Sequence, residues 1–277
     1  MGWAQVLRRL LLPLAMLPGV ASAQPSRQTD PGQLTDWYFA STFGTGAYRI
    51  GDRTVTVVRV PLGWKVREAD DDGWGLRLKL PVTLGLYALD TAVADVLNTN
   101  FATLSVMPGI ELERAVAHNW VLRPTASAGY AQDVVSGNRS TLWEVGVRSA
   151  WRHAFENADF TLGNAVLYAG NVAHDGVTQR VGVLSTGLNV VLPTGRSWLG
   201  RSSNIGLHLV HYLFFDRIDF LLTREDRRSV QQQYEAALTF GTYQPLKLGV
   251  FTFDRLGIGV RAGPDLFAVR LVTGFLF

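Results

Sequence analysis

Two neighbouring stretches of this sequence alternate between large apolar residues and small or charged ones. Residues 54–67 read TVTVVRVPLGWKVR, with the alternation running from Val58 onwards, and residues 75–89 read GLRLKLPVTLGLYAL. Apolar residues at every second position are the pattern of a β-strand with one apolar face. Both stretches are longer than the five or six residues usual in soluble sheets. Their length is typical of strands that cross a bilayer at a tilt.

The last twelve residues, 266–277, repeat the pattern as LFAVRLVTGFLF. The pattern predicts a strand through Phe277, with Phe267, Val269, Leu271, Thr273, Phe275 and Phe277 on one face. An exposed aromatic edge strand invites pairing with other chains. In a closed barrel the last strand instead pairs with the first, and its apolar face meets lipid. The alternative is the last strand of a soluble β-sandwich.

The first 23 residues have the layout of a secretory signal. Arg8 and Arg9 precede an apolar run from Leu10 to Val20, which ends at the small-residue site Ala21-Ser22-Ala23. This layout predicts cleavage after residue 23, since the apolar run is short for a membrane span. The alternative is an uncleaved anchor. We therefore divide the chain into a cleaved signal (1–23), a short periplasmic lead (24–36) and one outer-membrane barrel domain (37–277).

Composition excludes several classes of protein. The chain has no cysteine, so it is not a disulfide-stapled secreted domain. Removing Arg8 and Arg9 with the signal lowers Lys+Arg from 26 to 24 against 23 acidic residues, a net charge of +1. This balance gives no reason to expect nucleic-acid binding. Apolar residues make up 47% of the chain, yet they are dispersed rather than gathered into helical spans, which favours a barrel.

Strand number follows from the pattern and from parity. Further strands are predicted at 102–113, 120–130, 141–152, 159–169, 179–192, 204–215, 231–242 and 246–262, which makes eleven with the three above. A barrel whose two ends both face the periplasm needs an even number, and this places a first strand at Trp37–Ile50. The predicted fold class is an all-β, transmembrane antiparallel β-barrel of about twelve strands. Long connections are then expected on one side, near 90–101, 131–140, 170–178 and 216–230.

If the apolar faces meet lipid, the charged faces line the lumen. The candidate lumen-lining residues are Arg59, Lys65, Arg77, Lys79, Glu111, Glu113, Glu144 and Arg148. One hypothesis is a plugged interior in which these charges pair with one another. The other is a polar conduit whose Arg and Lys side chains favour anions.

Catalytic and metal-binding patterns are weak. The adjacent pair His174-Asp175, in a predicted outer connection, is the one candidate for acid–base work. His208 and His211 fall on opposite faces of a strand and cannot share a metal. The segment Ser202-Ser203-Asn204-Ile205-Gly206 is the nearest match to the nucleophile motif of outer-membrane phospholipases, but it lacks their His two positions before the Ser. We expect no enzyme activity, no metal and no cofactor.

The twelve-strand plan, the length and the aromatic last residue resemble the translocator barrels of autotransporters. The pair VVRVPLGWKVRE and GWGLRLKLPVTLGLY further resembles solitary outer-membrane autotransporter-type barrels, which keep the barrel but carry no passenger domain. The resemblance implies a location in the Gram-negative outer membrane. It also implies insertion by the barrel-assembly machinery, with Leu271, Phe275 and Phe277 as the C-terminal assembly signal. About thirteen residues between Gln24 and the first strand are too few for a passenger.

The predicted function is that of an outer-membrane barrel of structural or pore/transport type. Its expected partners are outer-membrane lipid, the assembly machinery and, for a conduit, small solutes or ions. Two alternatives remain open. One is a barrel enzyme that hydrolyses lipid or peptide with catalytic groups at its loop tips, and the other is a soluble periplasmic β-sandwich.

Overall fold

A computed structural model of the chain describes residues 44–50, 53–70, 73–88, 101–134, 137–174, 178–221, 227–248, 251–264 and 266–277. These residues form one antiparallel sheet, as the all-β prediction requires. No helix among them is long and apolar enough to cross a membrane. The strands are β1 (Gly46–Ile50), β2 (Arg53–Arg67), β3 (Gly75–Ala88), β4 (Phe101–Val106), β5 (Gly109–Ala117), β6 (Trp120–Asp133), β7 (Arg139–Phe155), β8 (Ala158–Ala173), β9 (Arg180–Trp198), β10 (Arg201–Leu221), β11 (Arg227–Leu248), β12 (Phe251–Gly263) and β13 (Leu266–Val272).

The sheet closes on itself through β1. This strand pairs with β2 on one side and with β13 on the other, where Gly46 lies opposite Arg270 and Ile50 opposite Leu266. The short strands β4 and β5 follow each other between β3 and β6, so the ring has twelve strand positions. The predicted twelve-strand barrel is confirmed. The β-sandwich alternative is wrong, because a single closed sheet leaves no second sheet for its faces to pack against.

Pro108 divides the strand that the sequence pattern predicts at 102–113. Proline has no N–H to donate, so it interrupts the hydrogen-bond ladder between β4 and β5. The neighbouring bonds remain, since Met107 N donates to Pro81 O at 3.1 Å and Ala128 N donates to Pro108 O at 3.0 Å. The two short strands therefore continue along one line and keep the same inner and outer faces.

Other boundaries differ from the predicted ones. The strand predicted at 246–262 is present as β12 but starts later, because β11 continues to Leu248 and β12 begins at Phe251, with a register shift between Gly241 and Leu246. Strands also extend into the predicted connections 131–140, 170–178 and 216–230, since backbone pairing needs no apolar face. The predicted first strand is described from Gly46 onwards. Residues 37–43, the predicted signal and the predicted lead lie outside the described residues.

The two ends of the barrel are distinct. We call the end where β1 begins and β13 stops the near end, and the opposite end the far end. The predicted long connections all fall at the far end, where they follow β3, β6, β8 and β10. The connections between β5 and β6, β7 and β8, and β9 and β10 are two-residue turns at the near end, and two residues also separate β11 from β12 there. This asymmetry agrees with the parity argument.

The outer surface is apolar, as the alternation predicts. Outward side chains remain widely exposed, for example Leu78 at 42%, Val145 at 48% and Leu238 at 61%. The alternate positions face the lumen, where Glu111 and Glu144 are 5% and 6% exposed. The period-2 pattern therefore places apolar side chains outside and charged ones inside.

We predict that Gly129→Ala destabilises the barrel, because a Cβ at this position would lie 2.6 Å from Met107 Cα beside the Pro108 break. Overpacking against backbone typically costs ~1–3 kcal/mol. The measurement is urea unfolding of the refolded protein in detergent micelles. Gly85→Ala is the matched control, because its Cβ would lie 3.6 Å from Thr103 Cβ, an ordinary contact. Equal stability of the two variants would contradict the predicted close approach.

Candidate functional site

The near half of the lumen contains a cavity of ≈ 1240 Å³. Its described lining carries eight basic and four acidic side chains, an excess of four positive charges at neutral pH. The basic ones are Arg59, Arg77, Lys79, Arg148, Arg152, Arg255, Arg261 and Arg270, and the acidic ones are Glu111, Glu144, Asp159 and Glu235. The interior of this barrel is therefore cationic, although the whole chain is close to neutral.

Six of the eight residues predicted to line the lumen lie in the wall of this cavity: Arg59, Arg77, Lys79, Glu111, Glu144 and Arg148. The other two lie outside the lining, nearer the rim of the near end. Lys65 pairs with Glu68 at 2.7 Å, and Glu113 accepts a hydrogen bond from Arg123 at 2.6 Å. Neighbouring strands bring several of the six together, since β3 and β5 place Arg77 opposite Glu111. A functional role for these residues stays a prediction.

Glu111 is the centre of one ion-pair group. Its carboxylate accepts a hydrogen bond from Arg148 and lies 3.9 Å from Nη1 of Arg77. Glu111 is 5% exposed, so its charge depends on these partners rather than on bulk water. Lys79 differs from Arg77 and Arg148 because its ammonium group donates to a hydroxyl, that of Thr125, rather than to a carboxylate. Mutual pairing thus accounts for part of the luminal charge.

A second group closes the inner end of the cavity. Glu235 accepts hydrogen bonds from Arg270 and from the Tyr212 hydroxyl, the latter at 3.1 Å. The Arg261 guanidinium lies 3.8 Å from the centre of the Tyr212 ring, within the range of a cation–π contact. Arg261 is only 1% exposed. This layer separates the cavity from the far half of the lumen.

The far half of the lumen holds many apolar side chains, beside buried polar ones such as Ser140, Asn171 and Gln233. Inward positions near the far end of the strands carry buried residues, which we call the luminal apolar cluster: Tyr48, Val55, Val57, Leu142, Val181, Phe214, Val230 and Leu266. Each is at most 4% exposed. Tightly packed apolar side chains leave no room for water at their level. Buried side chains therefore follow the cavity towards the far end.

The segment after β13 lies inside the lumen. Phe267, Val269 and Leu271 face outwards as predicted, at 48%, 46% and 46% exposure. The strand ends at Val272, however, and the expected lipid-facing orientation of Phe275 and Phe277 is wrong. Both lie in the lining of the cavity, with the Phe277 ring 5.0 Å from that of Phe275. Their role as an assembly signal stays a prediction.

Local contacts explain why this segment turns inwards. Gly163 and Gly187 face each other on β8 and β9, and the Phe277 ring occupies the space that their missing side chains leave. Arg148 Nη1 donates to the carbonyl oxygen of Leu276 at 3.1 Å. The Phe275 ring packs edge-to-face against His208 at 5.3 Å. The sequence contains these glycines, but the facing pair exists only in the register of two strands.

The histidine and serine candidates do not form a catalytic group in the described structure. His174 is exposed, and Asp175 lies outside the described residues. His208 and His211 occupy opposite faces as predicted: His208 lies 3.3 Å from the Thr239 hydroxyl inside, and His211 stacks on Tyr234 outside. Ser203 donates to a backbone carbonyl at 2.8 Å. Among the described residues, no three His, Asp or Glu side chains are grouped as metal ligands would be.

A closed antiparallel barrel with an apolar outer face and a polar interior is the architecture of outer-membrane-type barrels. No protein-family model and no curated protein matches this chain. The class of protein is therefore defined by the fold alone. The resemblance to autotransporter-type barrels is supported by the strand pattern alone.

We predict that Gly187→Val destabilises the barrel, because its side chain would displace the Phe277 ring. A Cβ at Gly187 already lies 3.1 Å from Cζ of Phe275 and 3.1 Å from Cγ2 of Val210. The measurement is the midpoint of thermal unfolding in micelles, which we expect to fall by several degrees for a loss of ~1–3 kcal/mol. Gly274→Ala is the control, since its Cβ meets nothing within 4 Å. An unchanged midpoint for Gly187→Val would show that the segment lies elsewhere.

We predict that Glu111→Gln lowers the free energy of unfolding by ~2 kcal/mol, because it leaves Arg148 and Arg77 without their shared carboxylate. The comparison is Glu68→Gln, the same chemical change at the exposed Lys65–Glu68 pair, whose side chains are 44% and 75% exposed. Exposed pairs contribute little, so we expect almost no change there. Urea titration of both variants provides the measurement, and equal losses would contradict a central role for Glu111.

Proposed function

We propose that this protein is an outer-membrane β-barrel of structural or transport type whose lumen is closed at its far end. The observation that carries the proposal is the division of the lumen. A charged cavity occupies the near half, and buried side chains, among them the luminal apolar cluster, occupy the far half. A permanently open channel needs a continuous polar path, and this interior offers a polar path along half of its length.

The outer surface supports a membrane location. A continuous band of exposed apolar residues would be a severe liability in water, whereas in lipid it is the expected surface of a spanning barrel. Tryptophans near the near end add to this argument: Trp64, Trp74, Trp151 and Trp198 are all 37% exposed or more. Exposed tryptophans at one rim are typical of a membrane–water interface. The signal pattern of residues 1–23 fits export to the envelope.

The strand connections support one orientation. Outer-membrane barrels place short turns in the periplasm and long connections outside. The near end then faces the periplasm, and the cavity opens towards it. Lipid and the barrel-assembly machinery are the partners that this location requires. The resemblance to solitary autotransporter-type barrels fits the same arrangement.

We also propose that the barrel is not an enzyme. Ser203, the serine of the nearest nucleophile-like segment, has its hydroxyl engaged with Arg196 and Thr194. The luminal His208 is packed between Phe275 and the Thr239 hydroxyl, an arrangement that immobilises it. The alternative, a hydrolase with groups at the loop tips, has no described pair that favours it.

We expect the purified, refolded protein to show heat-modifiable gel mobility and to require detergent for solubility. In a planar bilayer we expect it to insert without steady conductance steps, because the luminal apolar cluster blocks the far half. Folded protein that is soluble without detergent would contradict the membrane location. Steady, ion-selective steps would contradict the closed lumen and would assign an open conduit instead.

A further inference from the structure

We infer that the cavity contains a binding site for a small organic anion bearing a carboxylate or phosphate group, centred on Arg59 and Lys79. The inference rests on the proposed function, since it names the class of ligand that the blind cavity would hold. It depends on three features of the lumen: the pairing of its charges, the access of its cations to the cavity, and the character of the remaining wall.

The first feature is an uneven distribution of ion pairs. Arg148 and Arg77 share Glu111, and Arg270 pairs with Glu235. Within the described part of the chain, Arg59 and Lys79 have no carboxylate within ion-pair distance. Both interact more distantly with Glu144, and Lys79 also interacts with Glu111.

These unpaired cations also repel one another. Arg59 is influenced unfavourably by Arg148 and Arg270, and Lys79 by Arg148 and Arg59. Four cations thus act on one region of a partly desolvated lumen, where electrostatic interactions are stronger than in bulk water. A bound anion would relieve this repulsion, whereas a bound cation would increase it.

Access is the second feature. Arg59 and Lys79 are half-buried and line the cavity, so neither is sealed in the wall. Register places them on adjacent strands, with Lys79 opposite Gly63 and Arg59 opposite Thr83. Gly63 also lines the cavity and contributes no side chain beside Lys79 on β2. A ligand that enters from the near end can therefore reach both cations.

The wall across the cavity from the cations fits an organic ligand rather than a bare ion. Tyr212, Phe214 and Phe275 line the same cavity, together with Val183. Ligand sites generally combine an apolar wall with a few charged groups that fix orientation. A guanidinium group binds planar carboxylates and phosphates through paired hydrogen bonds. An anionic head at Arg59 and Lys79, with an apolar body against the aromatic side chains, satisfies both parts of the wall.

The test is isothermal titration of the refolded full-length protein in micelles, at fixed low chloride concentration, with benzoate and with inorganic phosphate as separate probes. We expect saturable binding of benzoate, and weaker binding of phosphate because it lacks an apolar body. Phosphate binding as tight as benzoate binding would overturn the organic part of the inference. Benzylammonium, which has a similar body and the opposite charge, should not bind.

Single substitutions locate the site. Arg59→Gln and Lys79→Gln should each weaken benzoate binding about ten-fold or more, as expected for the loss of a charge-assisted hydrogen bond. The matched controls are Arg67→Gln and Lys65→Gln, which remove the same charges from the near rim, where Arg67 bonds to Trp74 O and Lys65 pairs with Glu68. These should change the affinity by less than about two-fold, since charges at an exposed rim contribute little.

Glu144→Gln makes the test directional. Removing the carboxylate that faces both cations should strengthen benzoate binding several-fold, an effect that general damage to the barrel would not produce. Heat-modifiable mobility of each variant verifies folding independently. Two outcomes would overturn the anion site but leave the closed-lumen proposal intact. One is folded wild-type protein that binds neither probe, and the other is an equal loss of binding in the rim controls and in the site variants. Steady conductance with retained benzoate binding would overturn the closed lumen and leave the anion site intact.

Discussion

The rest of this structure depends on the hydrogen-bonded pairing of β1 with β13. It involves only five residue pairs, from Gly46 opposite Arg270 to Ile50 opposite Leu266, yet it converts an open sheet into a ring without edges. In lipid, an unpaired backbone group costs several kcal/mol, so a sheet can cross only when it is closed. Gly46 allows the two strands to approach, since a Cβ there would lie 2.6 Å from the carbonyl oxygen of Val269. Closure then defines an inside and an outside for every strand.

Inside the ring, polarity changes along the axis rather than around it. The near half contains charged side chains and a cavity, and the far half contains the luminal apolar cluster. The layer of Arg261, Tyr212 and Glu235 lies at the boundary, where Arg261 makes a cation–π contact with the Tyr212 ring and the Tyr212 hydroxyl donates to Glu235. A lumen divided in this way supports the proposed closure to free diffusion, with a chamber that opens at one end.

The segment after β13 contacts both the cavity and the ion-pair group around Glu111. Its aromatic rings occupy space at the near half, and Arg148 binds both its backbone and Glu111. The ion-pair group and the luminal segment are therefore mechanically coupled through one guanidinium. Arg59 and Lys79 lie outside that group, and this difference separates the cations that hold the structure together from those available to a ligand.

The sequence alone determined the strand faces and the class of fold, because a period-2 pattern is a local property that does not depend on which strand pairs with it. Every second residue from Val58 to Val66 faces outwards, and Arg59 faces inwards, whatever β2 pairs with. Local patterns could not give the break at Pro108, the end of β11 at Leu248 or the inward path of Phe277. The last of these depends on Gly163 meeting Gly187 across two strands, and strand register is a property of the closed ring. The same holds for the candidate site: the sequence placed the charges in the lumen, and the tertiary structure decided which of them pair and which remain free to bind.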